Sequence, residues 1–378
     1  MLQVEFEGGL TTAVDELIRP PENPLFLAPG LIDLQVNGFA GVDYNDPDVQ
    51  PEHIAQSIRT MFTTGVTRFF PTVITGEESR MLGTMRSLAA AKNEFLRHGM
   101  AEGHAMEGLH IEGPHISSED GPRGAHPAEH VRPPDAGEFH RWQEAADGNI
   151  RLVTVSPEWE QAPIYIKDLV RSGVVASIGH TKATSEQIAA AADAGATMST
   201  HLGNAAHSTL PKTQNYIWEQ LGEDRFTASF IVDGIHIPGS FFRSAIRAKG
   251  VERSVLVTDA VMPAMCLPGP YKLGQISVEL LDNGSVVLQG GDRLAGSALR
   301  MDHAISNAVR LGRVSLREAL AMATVNPARA GRIAGRQRGL STGEKADFVQ
   351  FKWRESPASL EVVQTVVAGQ SVFPRAST

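Results

Sequence analysis

The sequence predicts an α/β fold: a parallel (β/α)8 barrel with a small β domain made from both chain ends. Three observations carry that expectation. Eight short β-branched or apolar runs recur, most ending in a polar residue. The seven steps from Leu31 to Ser254 average about 32 residues, close to the ~30 that a strand, a crossover helix and two loops occupy. The stretches between the runs carry helical marks, and no Gly-rich phosphate turn follows the first run. Its absence argues against a doubly wound sheet, the other parallel option.

The eight runs are Leu31–Asn37, Val66–Ile74, Ala105–Glu112, Ile150–Pro157, Val174–His180, Thr197–Leu202, Ala228–His236 and Ser254–Ala260. After the first, Pro51–Thr64 places Ile54, Ile58, Met61 and Phe62 on one helical face, with Gly65 as a stop. Thr184 and Gln187 read as a capping box opening Ser185–Ala194, and Gly195 follows as the residue past its end. Ser315 and Glu318 repeat the box before Leu316–Thr324, which Pro327 is expected to close. Ile276–Leu281 and Ser285–Leu288 flank Asp282-Asn283-Gly284, strong hairpin chemistry whose place in the fold the pattern leaves open. Beyond Arg338 the chain changes to alternating runs, Ala346–Trp353 and Val362–Phe373, with a turn at Gly369-Gln370. Residues 1–27 offer one or two strands before Pro29-Gly30. The expected division is 28–338 for the barrel and 1–27 plus 339–378 for a small β-sandwich.

The chain has 378 residues, with 34 Lys and Arg against 43 Asp and Glu, a net charge of −9. An acidic protein is a poor electrostatic partner for nucleic acid or an anionic membrane, so neither is expected. No run approaches the ~18 apolar residues of a membrane span. Met1–Leu10 carries Glu5 and Glu7 and lacks a basic region followed by an apolar one, so a cytoplasmic setting is expected. Cys266 is the only cysteine, which excludes an internal disulfide and a thiolate-cluster metal site. Any metal must be held by carboxylates and some of the 13 histidines.

A parallel barrel gathers the C-terminal ends of its strands at one mouth, where active sites lie. The polar residues ending the runs are Gln35 and Asn37, Glu112, His180, His201, Asp233 and His236, and Asp259. One histidine at a strand end is ordinarily a hydrogen-bonded structural residue, and Asp259 alone could cap a helix. Two imidazoles and a carboxylate on separate strands, with a second carboxylate nearby, instead point to a zinc-type site. Three protein ligands leave a coordination position open, and the second carboxylate can act on water's proton. His126-Pro127-Ala128-Glu129-His130 matches the H-x-x-E-H string of some zinc peptidases. Pro127 permits only a helix start and Arg132-Pro133-Pro134 follows, so that reading is set aside.

The motifs resemble those of the N-acetylglucosamine-6-phosphate deacetylases of the amidohydrolase superfamily. The matching stretches are Ala28 to Gly38, Gly108 to Pro114, Ile178 to Thr181, Thr200 to Ala205, Asp233 to His236, Val257 to Ala260, Leu294 to Leu299 and Asn326 to Ala328. The resemblance implies a distorted TIM barrel with a terminal β-sandwich, and a homodimer. It implies that Glu112, His180 and His201 bind a divalent metal, with Asp259 as general base and then acid. His236 would polarise the acetyl carbonyl. His126, Asn204, Ala205 and Leu299 would contact the substrate. Gln35 and Asn37 stand where most amidohydrolases carry the His-x-His of a second metal. Carboxamides are weak donors for zinc, so one metal is expected, Zn²⁺ foremost, with Fe²⁺, Co²⁺ or Mn²⁺ compatible.

The chain departs from the family after the sixth run. An arginine that reaches a neighbouring subunit's sugar phosphate is missing from Ala206–Trp218, where Lys212 either supplies the charge or is a solvated loop residue. The expected function is hydrolysis of the N-acetyl amide of an amino sugar, with N-acetylglucosamine 6-phosphate as leading substrate. The alternatives are another N-acyl amino sugar or cyclic amide without a phosphate requirement, and a non-catalytic barrel that only binds.

Overall fold

The computed structural model describes residues 2–16, 25–274 and 276–374. Its centre is an eight-stranded parallel sheet: β1 (Leu31–Val36), β2 (Val66–Ile74), β3 (Leu109–Glu112), β4 (Ile150–Val155), β5 (Val175–Ile178), β6 (Met198–Ser199), β7 (Thr227–Phe230) and β8 (Ser254–Leu256). Neighbours in space are neighbours in the chain. A parallel bridge between Val36 and Ala260 closes the ring, with the Asn37 amide donating to the Ala260 carbonyl at 2.7 Å. Every expected barrel run contributes a strand.

The strands are shorter than the runs. The third begins late because Ala101–Ala105 is helical, and the sixth keeps two residues. His180, His201, His236 and Asp259 therefore lie beyond the strands rather than on them. His180, His201 and Asp259 have φ of 49°, 29° and 51°. That left-handed region turns the chain sharply and cannot continue a ladder.

Helices pack outside as the sequence periodicity dictates. Pro51–Phe62 starts on its proline, where a missing N–H has no partner to lose, and buries Ile54, Ile58, Met61 and Phe62. Both capping boxes form, at Thr184/Gln187 and Ser315/Glu318, and Gly195 ends the first helix at φ 106°. Pro327 departs from expectation. It does not close Leu316–Ala323 but sits in the first turn of a new helix, Val325–Ala330, where proline is tolerated.

Phe26–Pro29, Phe348–Glu355, Ala358–Val367 and Gln370–Phe373 make a four-stranded antiparallel sheet from both ends of the chain. The hairpin Leu2–Glu7 and Leu10–Glu16 is a separate two-stranded sheet that bridges from Leu10 to Lys345, just ahead of Phe348–Glu355. The strand Phe26–Pro29 crosses the boundary expected at residue 27. Residues 1, 17–24 and 375–378 of the expected terminal domain lie outside the described residues. A buried cluster ties this sheet to the barrel: Asp347 accepts from Arg68 at 2.6 and 3.1 Å and pairs with Arg336, whose fork also reaches the Gly30 carbonyl at 2.7 Å.

The hairpin left open by the sequence belongs to an insert after β8. Gly269–Leu273, Ile276–Leu280, Ser285–Leu288 and Leu294–Ser297 form an antiparallel sheet in that order. Leu273, Val278, Leu280, Val286 and Ala295 pack with Val261 in a separate small core. The last strand bridges Ala260, and the Ser297 amide donates to the Asp259 carbonyl at 2.9 Å. The insert is thereby fixed at the barrel mouth. No helix among the described residues is long and apolar enough to cross a membrane.

Candidate active site

At the mouth Glu112, at the end of β3, meets His180 and His201 from the turns after β5 and β6. Glu112 Oε1 lies 2.8 Å from His201 Nε2 and 3.3 Å from His180 Nε2, and the two Nε2 atoms are 3.1 Å apart. His180 Nδ1 is 3.0 Å from the Pro122 carbonyl, so Nδ1 carries the proton and Nε2 faces Glu112. A tetrahedral ion with bonds of about 2.0–2.1 Å has ligands roughly 3.3 Å apart. The three atoms stand near that spacing, and two imidazoles with one carboxylate are donors that zinc accepts. The residues present thus fit a metal. His126 joins the group: Glu112, His126 and His180 offer ligand atoms within 4.8 Å of one another. Its ring meets His180 edge-on at 4.5 Å and its Nδ1 is held by Thr75 Oγ1 at 2.8 Å.

Gln35 and Asn37 are not spectators. One nitrogen, Gln35 Nε2, donates to Glu112 Oε1 at 2.8 Å and to Asp259 Oδ1 at 3.0 Å. Asn37 Nδ2 donates to the same Asp259 oxygen at 2.6 Å. The two buried carboxylates behave oppositely. Burial would raise Glu112, but hydrogen bonds and charge from His180 and His201 outweigh it and hold the group well below the usual range. Asp259 has no imidazole hydrogen bond among the described residues, and burial, then the charge of Glu112, outweigh His201 and His236 and push it up to about 7. A pair separated this way supplies one fixed anion and one group able to exchange a proton near neutrality. Burial and the neighbouring His180 lower His126 to about 3, so it stays neutral.

His236 comes from the loop after β7 and is aimed by Asp233. Asp233 Oδ1 accepts the amides of Ile235 and His236 at 2.8 Å, and Oδ2 lies 2.6 Å from His236 Nδ1. The sequence offered Asp233 as a strand-end carboxylate without a role, and the structure makes it the residue that positions His236. Asn37, Glu112, His126, His180, His201, His236 and Asp259 line a cavity of about 490 Å³ that Asn204 and Ala205 share and whose other wall is the insert, from Leu273 and Ile276 to Gly296.

Two expected substrate residues lie outside this cavity. Lys212 is exposed, its carbonyl accepting from Trp218 Nε1 at 3.2 Å. Leu299 is buried and lines a neighbouring cavity beside Asp233 and His303. The H-x-x-E-H string forms only a single turn, Ala128–His130, so no helix presents its two histidines together. Arg293 and Asp120, which the sequence reading did not single out, do line the cavity. Arg293 stands next to the Leu294–Leu299 motif, but only the insert's docking brings it to the mouth.

A model of the amidohydrolase family matches residues 26–372. The chain belongs to that family. This amidohydrolase is 32% identical to N-acetylglucosamine-6-phosphate deacetylase of Bacillus subtilis, over 94% of its own length and 86% of the relative's. It is also 32% identical to the N-acetylgalactosamine-6-phosphate deacetylase of Escherichia coli O157:H7, over 97% and 94%. A solved N-acetyl-D-glucosamine-6-phosphate deacetylase of Mycobacterium smegmatis, in complex with N-acetyl-D-glucosamine-6-phosphate, superposes with a TM-score of 0.86 at 30% identity. That match covers 98% of this chain and 94% of the other. The amidohydrolase is accordingly a metal-dependent hydrolase of carbon–nitrogen bonds.

Proposed function

We propose that this amidohydrolase cleaves the amide of N-acetylglucosamine 6-phosphate, giving glucosamine 6-phosphate and acetate. The observation that carries the reading is one buried cluster: Glu112, His180 and His201 converge while Gln35 ties Glu112 to Asp259. Glu112, His180 and His201 would hold a single divalent cation, Zn²⁺ by donor type, which when bound supplies Lewis acidity to the amide carbonyl and to the attacking water. A second cation has no place in this reading, because Gln35 and Asn37 offer it only neutral carboxamides, weak donors for zinc beside imidazole, and turn their N–H groups to the two carboxylates.

The chain's own groups do the rest. Asp259 takes a proton from water as its oxygen adds to the acetyl carbon. It returns that proton to the nitrogen as the C–N bond breaks, so the amine leaves neutral. Its affinity for protons near neutrality suits it to both halves of the cycle. Asp233 keeps His236 oriented, leaving Nε2 for the acetyl carbonyl, where charge develops. His126, Asn204 and the amide of Ala205 line the sugar's place. Lys212 and Leu299 take no part within one chain.

The test is acetate release from N-acetylglucosamine 6-phosphate, its galacto isomer and unphosphorylated N-acetylglucosamine, using metal-loaded protein. The glucosamine phosphate should turn over fastest. The similarity to the galactosamine enzyme supports a second reading, and faster release from the galacto isomer would move the assignment there. No acetate from any of the three sinks the deacetylase reading.

A further inference from the structure

The cavity of the proposed deacetylase carries one permanent cation, on its insert wall, and we propose that this residue, Arg293, is the clamp for the substrate's phosphate. Arg293 is the only lysine or arginine among the described residues lining the cavity. It sits immediately before the strand Leu294–Ser297 and reaches across the mouth to the loop after β3. Its Nη1 lies 2.8 Å from Asp120 Oδ1 and donates to the Gly124 carbonyl at 3.2 Å, while Nη2 donates to Asp120 Oδ2 at 3.0 Å. Arg123 shares Asp120 at 3.2 Å and donates to the His126 carbonyl at 2.7 Å. Two guanidiniums thus flank one carboxylate beside the histidine cluster.

Two features suit this unit to an anion that comes and goes. The Asp120 side chain is 67% exposed and that of Arg293 41%. Exposed pairs are weak, so phosphate oxygens can replace Asp120 on the fork at little cost. The Nε–H of Arg293 has no hydrogen-bond partner among the described residues, so a donor is already free. Asp292 also lines the cavity, which keeps the general field small. Recognition then rests on the directional fork of a guanidinium, which matches phosphate better than a point charge. The clamp belongs to the same chain as the metal ligands, so Lys212 is not needed. The identity of the anion rests on the deacetylase reading, and the place of Arg293 does not.

Arg293→Met and Asp120→Asn test it with two readouts on metal-loaded protein. One is calorimetric binding of glucosamine 6-phosphate against glucosamine. The other is the ratio of kcat/KM for phosphorylated over unphosphorylated N-acetylglucosamine. Arg293→Met should lower both the affinity for glucosamine 6-phosphate and the ratio at least tenfold, mainly through KM. Asp120→Asn should raise that affinity severalfold by releasing the fork. A phosphate preference unchanged within twofold in Arg293→Met overturns the proposal. So do equal losses in both variants, as expected of a mere latch between insert and loop. If no sugar releases acetate, the deacetylase reading fails while the calorimetry still decides Arg293.

Discussion

Asp259 concentrates the chemistry of this protein in one side chain. It is buried, held by two carboxamides on β1 and in the turn after it, and set on a left-handed residue. Non-glycine residues there cost on the order of 1–3 kcal/mol, and such strain gathers at functional sites. His180 and His201 share the conformation, so three strand ends use one device to turn the chain at the mouth. Asp259→Asn should keep its metal, by elemental analysis, and lose acetate release by about 10²–10⁴-fold or more. Activity within tenfold of the parent would remove Asp259 from the proton transfer. Chelating the metal should abolish turnover and lower Tm, and Zn²⁺ added back should restore both while releasing protons from the histidine cluster. A chelated protein of full activity would exclude the metal site altogether.

At the scale of elements, local chemistry and docking act separately. The Ser315 box is satisfied entirely within its own helix: Ser315 Oγ accepts the Glu318 amide at 3.3 Å and Glu318 Oε2 accepts the Ser315 amide at 2.7 Å. Ser315→Ala should therefore cost about 1 kcal/mol, seen as a lower urea midpoint with an unchanged m value and unchanged catalysis. The insert is different, because its function depends on what it meets. Gly296 has φ 69°, and a Cβ there would stand 2.3 Å from Val261 Cγ1 and 3.3 Å from the Asp259 carbonyl. Gly296→Ala should displace the insert's last strand from Ala260 and lower kcat/KM at least tenfold, an effect on the order of 1.4 kcal/mol or more. Parent-like kinetics in that variant would show that the strand carries no part of the site.

At the scale of the molecule, Asp347 joins the terminal sheet to the barrel. Burial opposes its ionisation, but Arg68 and Arg336 outweigh burial and hold the carboxyl below its usual range. A depressed folded-state value means that the stabilisation is complete above the unfolded value of about 3.9 and is lost as pH falls through the folded one. Wild type should lose that part of its stability between pH 5 and pH 2. Asp347→Asn should be about 3–5 kcal/mol less stable at pH 7, because two guanidiniums lose their anion, and should show a shallower acid limb. Urea melts at the two pH values read both, and parallel limbs would contradict the assignment.

The sequence by itself determined the eight barrel strands, both capping boxes, the turn at Asp282-Asn283-Gly284 and the strand-end set Glu112, His180, His201 and Asp259 that meets at the mouth. Those features are set by periodicity and by residues within a few positions, so one dimension records them. It overran the strand ends and mistook Pro327 for a stop, because hydrophobic runs continue into buried turns and a proline suits a helix start. Only the tertiary structure decided that Gln35 would bridge Glu112 and Asp259, 77 and 224 residues away, and that Arg68 would meet Asp347 across 279. It alone placed the insert, and with it Arg293, on the cavity. A repeating pattern states which face a residue presents; what stands opposite is settled by how the whole ring closes.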